Sequence, residues 1–217
     1  MEISDPSQGT PLARNHFLQV LLVLYLGLWT LAAFEPVSRK TWLLENLLVV
    51  GVAILLVSTH RRFVFSRFSY ALIFVFLLLH VVGSHYTYSE VPAGAWVEEL
   101  LGMPRNPYDR FVHFSFGLLL AYPARELVLR LMHARGLWGY LVPVLIIVSL
   151  SSVYEMVESW AARITNPELG LAFVGAQGDV WDGQKDMALA LQGAILAMVL
   201  TALYRRRGRG EPCERFP

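Results

Sequence analysis

One cysteine in 217 residues, Cys213 close to the C-terminal end, excludes an intrachain disulfide and argues against thiolate-based metal or redox chemistry. Charge is nearly as scarce. Asp, Glu, Lys and Arg make up 16% of the chain, against about 25% in an ordinary soluble domain. Several catalytic signatures are absent: there is no H-E-x-x-H, no G-x-S-x-G and no Walker A sequence. The stretch DVWDGQKD lacks the spacing of a calcium-binding loop. There is no internal repeat and no low-complexity segment. No run shows the strict alternation of a membrane β-barrel strand.

What the chain has instead is apolar length. It is 55% hydrophobic, with a mean hydropathy of +0.48. A bilayer span needs about 20 mostly apolar residues. Six runs approach this length: Phe17–Phe34, Trp42–Thr59, Phe68–Gly83, Phe111–Met132, Trp138–Val157 and Met187–Tyr204. The first is longer than a signal-peptide core and no A-x-A site follows it, so an uncleaved helix is expected. In hydrocarbon a helix satisfies its own backbone groups. The expectation is an all-α, polytopic membrane bundle of about six helices, forming one integral membrane domain over residues 1–217, with membrane lipid as its surroundings. The oligomeric state is not legible.

Orientation is read from basic residues flanking the runs. One side carries Arg14, Arg61, Arg62, Arg67, Arg125, Arg130, Arg135, Arg205, Arg206, Arg207, Arg209 and Arg215. The other carries only Arg39, Lys40, Arg105, Arg110, Arg163 and Lys185. This bias predicts cytoplasmic termini. The C-terminal run YRRRGRG then reads as an anchor against anionic lipid, and no nucleic-acid partner is expected. Acids fall the opposite way, and Glu45 is among those assigned to the outer side.

Within that acidic side a constellation stands out. In NPYDRFVHFSFG, Asp109 and His113 are four apart and share a helix face, with Asp109 suited to an N-cap. In SSVYEMVESW, Glu155 and Glu158 share a face near the expected end of a span, where the helix dipole disfavours carboxylates. In GAQGDVWDGQKDM, Asp179, Asp182 and Asp186 open the last span, and one of them suffices as a cap. His85 sits where the third span ends, and His80 lies deeper in the same run, where a hydrogen-bonded packing role suits it. Ionisable residues inside membrane segments are costly and mark functional sites or structural ion pairs. If these helix ends meet, raised carboxyl pKa values, basic neighbours or a metal ion must relieve the repulsion. Arg110, Arg163 and Lys185 are the nearby cations. Mixed His and carboxylate ligands suit Zn, Mn or Fe, and carboxylates alone suit Mg or Ca.

The segments HYTYSEVP, NPYDRFVHFSFG, SSVYEMVES and GAQGDVWDGQKDM, in this order, resemble the YjdF-type family of bacterial inner-membrane proteins over nearly the whole chain. The resemblance implies a polytopic inner-membrane protein and brings no established activity with it. The last 110 or so residues also resemble VanZ-like proteins. Their D-[KR]-x-x-H-[FL] element corresponds to Asp109, Arg110, His113 and Phe114. Their E-x-x-Q corresponds to Glu155 and Glu158, with Glu for Gln, and their D-x-x-x-N to Asp182 and Asp186, with Asp for Asn. Both departures add negative charge. This second resemblance implies a place in cell-envelope lipid chemistry.

Three readings follow. The first is a divalent-metal-dependent hydrolase or transferase at the outer face, acting on a lipid or lipid-linked envelope precursor. His85, His113, Glu155, Asp182 and Asp186 would hold Zn, Mn or Mg, and Glu158 or Asp109 would act as general base. The second is a non-catalytic bundle whose acids and bases form a structural network. The third is a cation- or proton-linked transporter, for which the chain offers few polar residues below the acidic side.

Overall fold

The computed structural model describes residues 15–59, 63–164 and 176–207. Arg14, Arg61, Arg62, Arg209, Cys213 and Arg215, which enter the readings above, and Gly175, the first residue of GAQGDVWDGQKDM, lie outside the described residues. Seven α-helices occur there: α1 (His16–Ala32), α2 (Arg39–Thr59), α3 (Arg67–Tyr86), α4 (Pro92–Leu101), α5 (Tyr108–Leu131), α6 (Trp138–Ile164) and α7 (Asp182–Arg206). A 3-10 turn, Tyr88–Glu90, links α3 to α4, and no strand is found among the described residues.

The all-helical expectation holds, but the set of six apolar spans is coarser than that. Among the described residues, α2, α3, α6 and α7 are long and apolar enough to cross a membrane, and α1 is apolar but shorter at 17 residues. Helix α5 has 24 residues, about 36 Å of rise. It is more polar than a lipid-facing span because Asp109, Arg110, Arg125, Glu126 and Arg130 lie within it. Three of these, Asp109, Arg125 and Glu126, are buried. Helix α5 is the hub of the bundle, packed against α3, α6 and α7, so its polar groups face protein.

The tightest seam is between α5 and α7. A Cβ added at Gly117 would collide with the Ala190 carbonyl oxygen, and one at Gly193 with the Phe114 carbonyl oxygen. Ala190, Ala194 and Ala197 are buried along the same helix. Small residues bring backbones close enough for dispersion to hold helices together in lipid, where the hydrophobic effect offers little.

Helix α4 lies between the third and fourth apolar runs. PAGAWVEELL has proline at its first turn, and Gly102 ends it at φ +60° in the left-handed region that glycine adopts without strain. Trp96, Leu100 and Leu101 are exposed on it. Trp160 and Trp181 are also exposed at this acidic end of the bundle, a distribution that suits a membrane–water interface.

Candidate functional site

Four helices, α2, α5, α6 and α7, and two connections, before α5 and before α7, build the site. Asp109 is the second residue of α5, and Pro107 is the N-cap, so Asp109 is not the cap its position suggested. His113 follows one turn deeper. Its Nε2 lies 3.6 Å from Asp109 Oδ1 and 3.6 Å from Glu155 Oε1 of α6. Asp186, in the second turn of α7, completes the group. One ligand atom from each of Asp109, His113 and Asp186 fits within a 4.8 Å circle of mutual distances.

Glu155 and Glu158 do not sit in the last turns of their helix. Helix α6 continues to Ile164, which removes the dipole penalty expected at a C-terminus. The Glu155 carboxylate reaches the group by lying over Gly183, whose added Cβ would come 2.7 Å from Glu155 Oε2. Gly183→Ala is therefore expected to displace Glu155 while sparing the fold. If an ion binds here, its affinity falls by about 10-fold or more, as when the surroundings of metal ligands are disturbed. Unchanged affinity in a calorimetric titration would show that Glu155 takes no part.

The other acids have different partners. Asp182 is buried and ion-paired to the buried Arg105 from the α4–α5 connection. Arg110 Nη2 also reaches it at 3.3 Å. Asp182 is thus placed as a counter-ion to two arginines, away from the ligand role expected of it. Arg105 Nη2 lies 3.8 Å from Asp109 as well. Arg110 Nη2 and Lys185 Nζ each approach Asp179 Oδ2 at 2.5 Å. An alternating ladder results, running Asp109, Arg105, Asp182, Arg110, Asp179, Lys185 from the interior to the surface. Gln177 and Asn106 bind reciprocally through Asn106 N–H to Gln177 Oε1 at 2.9 Å and Gln177 Nε2 to Asn106 O at 3.1 Å. The segment before α7 is thereby fastened over the site.

Asp179 lies outside the spans. The Lys185 ammonium hydrogen bond, followed by the Trp181 amide, lowers its carboxyl from 3.8 to about 2. A lowered folded-state value means the contact is fully present above the ordinary carboxylate range and is lost as pH falls through about 2. Carboxyl-carbon NMR of aspartate-labelled protein, assigned with Asp179→Asn, should show this group titrating near 2. A midpoint near 3.8 would contradict the ladder.

His85 is not brought to the group. Its Nδ1 lies 2.9 Å from the Ala32 carbonyl of α1, and its own carbonyl accepts from the Val37 amide. It ties the end of α1 to α3. His80 has the hydrogen-bonded role its position suggested, with Nδ1 2.6 Å from the Tyr88 hydroxyl. Glu158 is buried one turn beyond Tyr154. The Tyr154 ring stands 6.0 Å from His113 between centroids, and its hydroxyl donates to Glu45 Oε2 of α2 at 3.1 Å.

Arg105, Tyr154 and Glu45 are the members that sequence reasoning missed. Arg105 had a signal, its position four residues before Asp109. Glu45 had only its place in an apolar run, and Tyr154 had none beyond adjacency to Glu155.

A helical bundle with acids, bases and histidine gathered between apolar helices defines a polytopic membrane protein with an interior polar centre. The chain belongs to the family described as Predicted membrane protein (DUF2238), whose model matches residues 17–207. It is 38% identical over 189 residues to the Inner membrane protein YjdF of Escherichia coli (strain K12), covering 86% of this chain and 87% of that protein. It is accordingly an integral protein of the bacterial inner membrane. No solved structure matches it.

Proposed function

We propose that the protein is a divalent-metal-dependent hydrolase or transferase acting on a lipid or lipid-linked envelope precursor at the outer face of the membrane. The observation that carries this reading is the Asp109–His113–Asp186 group with a buried Asp186 Oδ1 that has no hydrogen-bond partner among the described residues. Glu155 Oε1 is in the same condition. A native structure rarely leaves buried carboxylate oxygens unsatisfied. Asp179 and Asp182 are neutralised by Arg105, Arg110 and Lys185, whereas the contacts that Asp109 and Glu155 make with cations among the described residues are longer, 3.6 Å to His113 and 3.8 Å from Arg105 to Asp109. Two donors on an ion with bonds of about 2.0–2.1 Å at a tetrahedral angle stand about 3.4 Å apart. The two 3.6 Å separations around His113 are close to this.

One nitrogen and two or three carboxylate oxygens suit Zn or Mn, with Mg less favoured by the imidazole. The ion supplies Lewis acidity toward a phosphoryl or acyl oxygen. Asp109, His113 and Asp186 would hold the ion, and Glu155 or Glu158 would accept the proton of the attacking water or hydroxyl. The basic-residue bias supports an outward-facing site, and exposed Trp96, Trp160 and Trp181 suit a membrane–water interface.

Thermal unfolding in mild detergent tests the reading. Zn or Mn at 100 times its dissociation constant should stabilise the protein by about 2.7 kcal/mol. His113→Ala and Asp186→Asn should abolish that increment. Absence of any increment in the unaltered protein would defeat the proposal. It would favour the second reading, a structural acid–base network, which draws its support from the ladder of alternating charges.

A further inference from the structure

The Asp179 carboxylate occupies a place with more donors than an isolated surface acid requires. Arg110 Nη2 and Lys185 Nζ converge on Oδ2, and the Trp181 amide donates to Oδ1 at 3.1 Å. That amide belongs to the N-cap residue of α7, and exposed amides at a helix N-terminus favour anions. A guanidinium, an ammonium and a backbone N–H converging on one anionic group form a donor set that recognises phosphate. The ladder sets Arg105, Arg110 and Lys185 against Asp109, Asp182 and Asp179, so an anion that displaces Asp179 meets the cations of a balanced set. The Arg110 and Lys185 side chains are 25% and 50% exposed, and ion pairs at that level are weak enough to exchange partners. Val180 and Trp181, next to these groups in the chain, are exposed at 85% and 62%, apolar surface adjoining the charged group.

We propose that Arg110, Lys185 and the Trp181 amide form a binding cradle for the phosphoryl group of an amphiphilic substrate, and that Asp179 is the resident anion which that group displaces. The proposal deepens the catalytic reading by naming the substrate class, and rests on it for what the bound group is used for. Binding itself draws on cations that the ion-site residues do not include. Arg110 shares Asp182 with Arg105, and Arg105 reaches Asp109, so a chain of ion pairs links a phosphoryl group seated here to the proposed metal centre. Val180 and Trp181 offer contact to the first carbons of an attached chain.

The test uses full-length protein in mild detergent with excess chelator, so that no divalent ion contributes. Inorganic phosphate and dodecyl phosphate are titrated by phosphorus NMR, with dodecanol as the uncharged control. Asp179→Asn is expected to bind dodecyl phosphate at least tenfold more tightly than the unaltered protein. Lys185→Gln and Arg110→Gln are expected to bind it at least tenfold more weakly, and circular dichroism with thermal midpoints confirms that each variant is folded. Lys185 lies at the surface end of the ladder, so its variant keeps the test valid if Arg110→Gln fails to fold. Stronger binding of dodecyl phosphate than of inorganic phosphate assigns the cradle to a lipid headgroup. Equal binding assigns it to a soluble phosphate and overturns the amphiphile. No gain in Asp179→Asn, or no loss in Lys185→Gln, overturns the cradle. Chelated protein that binds phosphate as described supports the cradle even if the neighbouring carboxylates hold no ion. Protein that takes up an ion and ignores phosphate overturns the cradle alone.

Discussion

Glu126→Ala is expected to destabilise the protein by about 3–5 kcal/mol, the usual consequence of removing one partner of a buried ion pair. Glu126 is fully buried in α5, at the opposite end of the bundle from the site. Its Oε1 accepts from the Ser66 amide at 2.8 Å and from Arg130 Nη1 at 2.7 Å. Its Oε2 accepts from the Ser66 hydroxyl at 2.8 Å and the Ser69 hydroxyl at 2.5 Å. Arg130 in turn donates to the Val64 carbonyl and lies over the Phe63 ring. One carboxylate thus fastens Ser66, the N-cap of α3, together with Ser69, and holds a guanidinium. Alanine would leave the Ser66 amide and both hydroxyls without their acceptor and Arg130 without its counter-ion. Unfolding followed by circular dichroism in detergent checks this, and Glu126→Gln should fall between the two. A loss below about 1 kcal/mol would mean that water replaces the carboxylate and that the latch is not structural.

Gly193→Leu is expected to cost more than the roughly 1–3 kcal/mol of ordinary overpacking. The obstacle is the Phe114 carbonyl and the Leu118 amide of α5, which are backbone and cannot rotate away. Separating α5 from α7 also parts His113 from Asp186, so ion binding and stability fall together. Gly27→Leu is the control, because nothing lies within 4 Å of a Cβ there. Equal thermal midpoints for the two variants would contradict the close seam.

The sequence made the helices legible through apolar runs, and made Asp109 with His113 legible because a spacing of four is a helix face. It could not show that Asp182 and Asp186, equally spaced, part company. That division depends on Arg105, which comes from a loop and ion-pairs with Asp182. His85 looked equivalent to His113 in sequence, but the end of α1 takes its ring. Helix α5 was read as one span among six because its apolar residues outnumber its charges. Its central position reflects what those charges meet, and Glu126 finding Ser66 across sixty residues leaves no local pattern. The extension of α6 past Val157 was hidden because Glu155 and Glu158 interrupt the apolar run while the helix continues.

The central claim is that Asp109, His113 and Asp186 hold a divalent ion. Elemental analysis of protein purified without chelators, beside a folded Asp186→Asn variant prepared identically, tests it most directly. The account predicts close to one Zn or Mn per chain in the first sample and a loss of at least nine-tenths of it in the second. No ion in the unaltered protein after dialysis against Zn, Mn and Mg, or equal ion content in both samples, would contradict it.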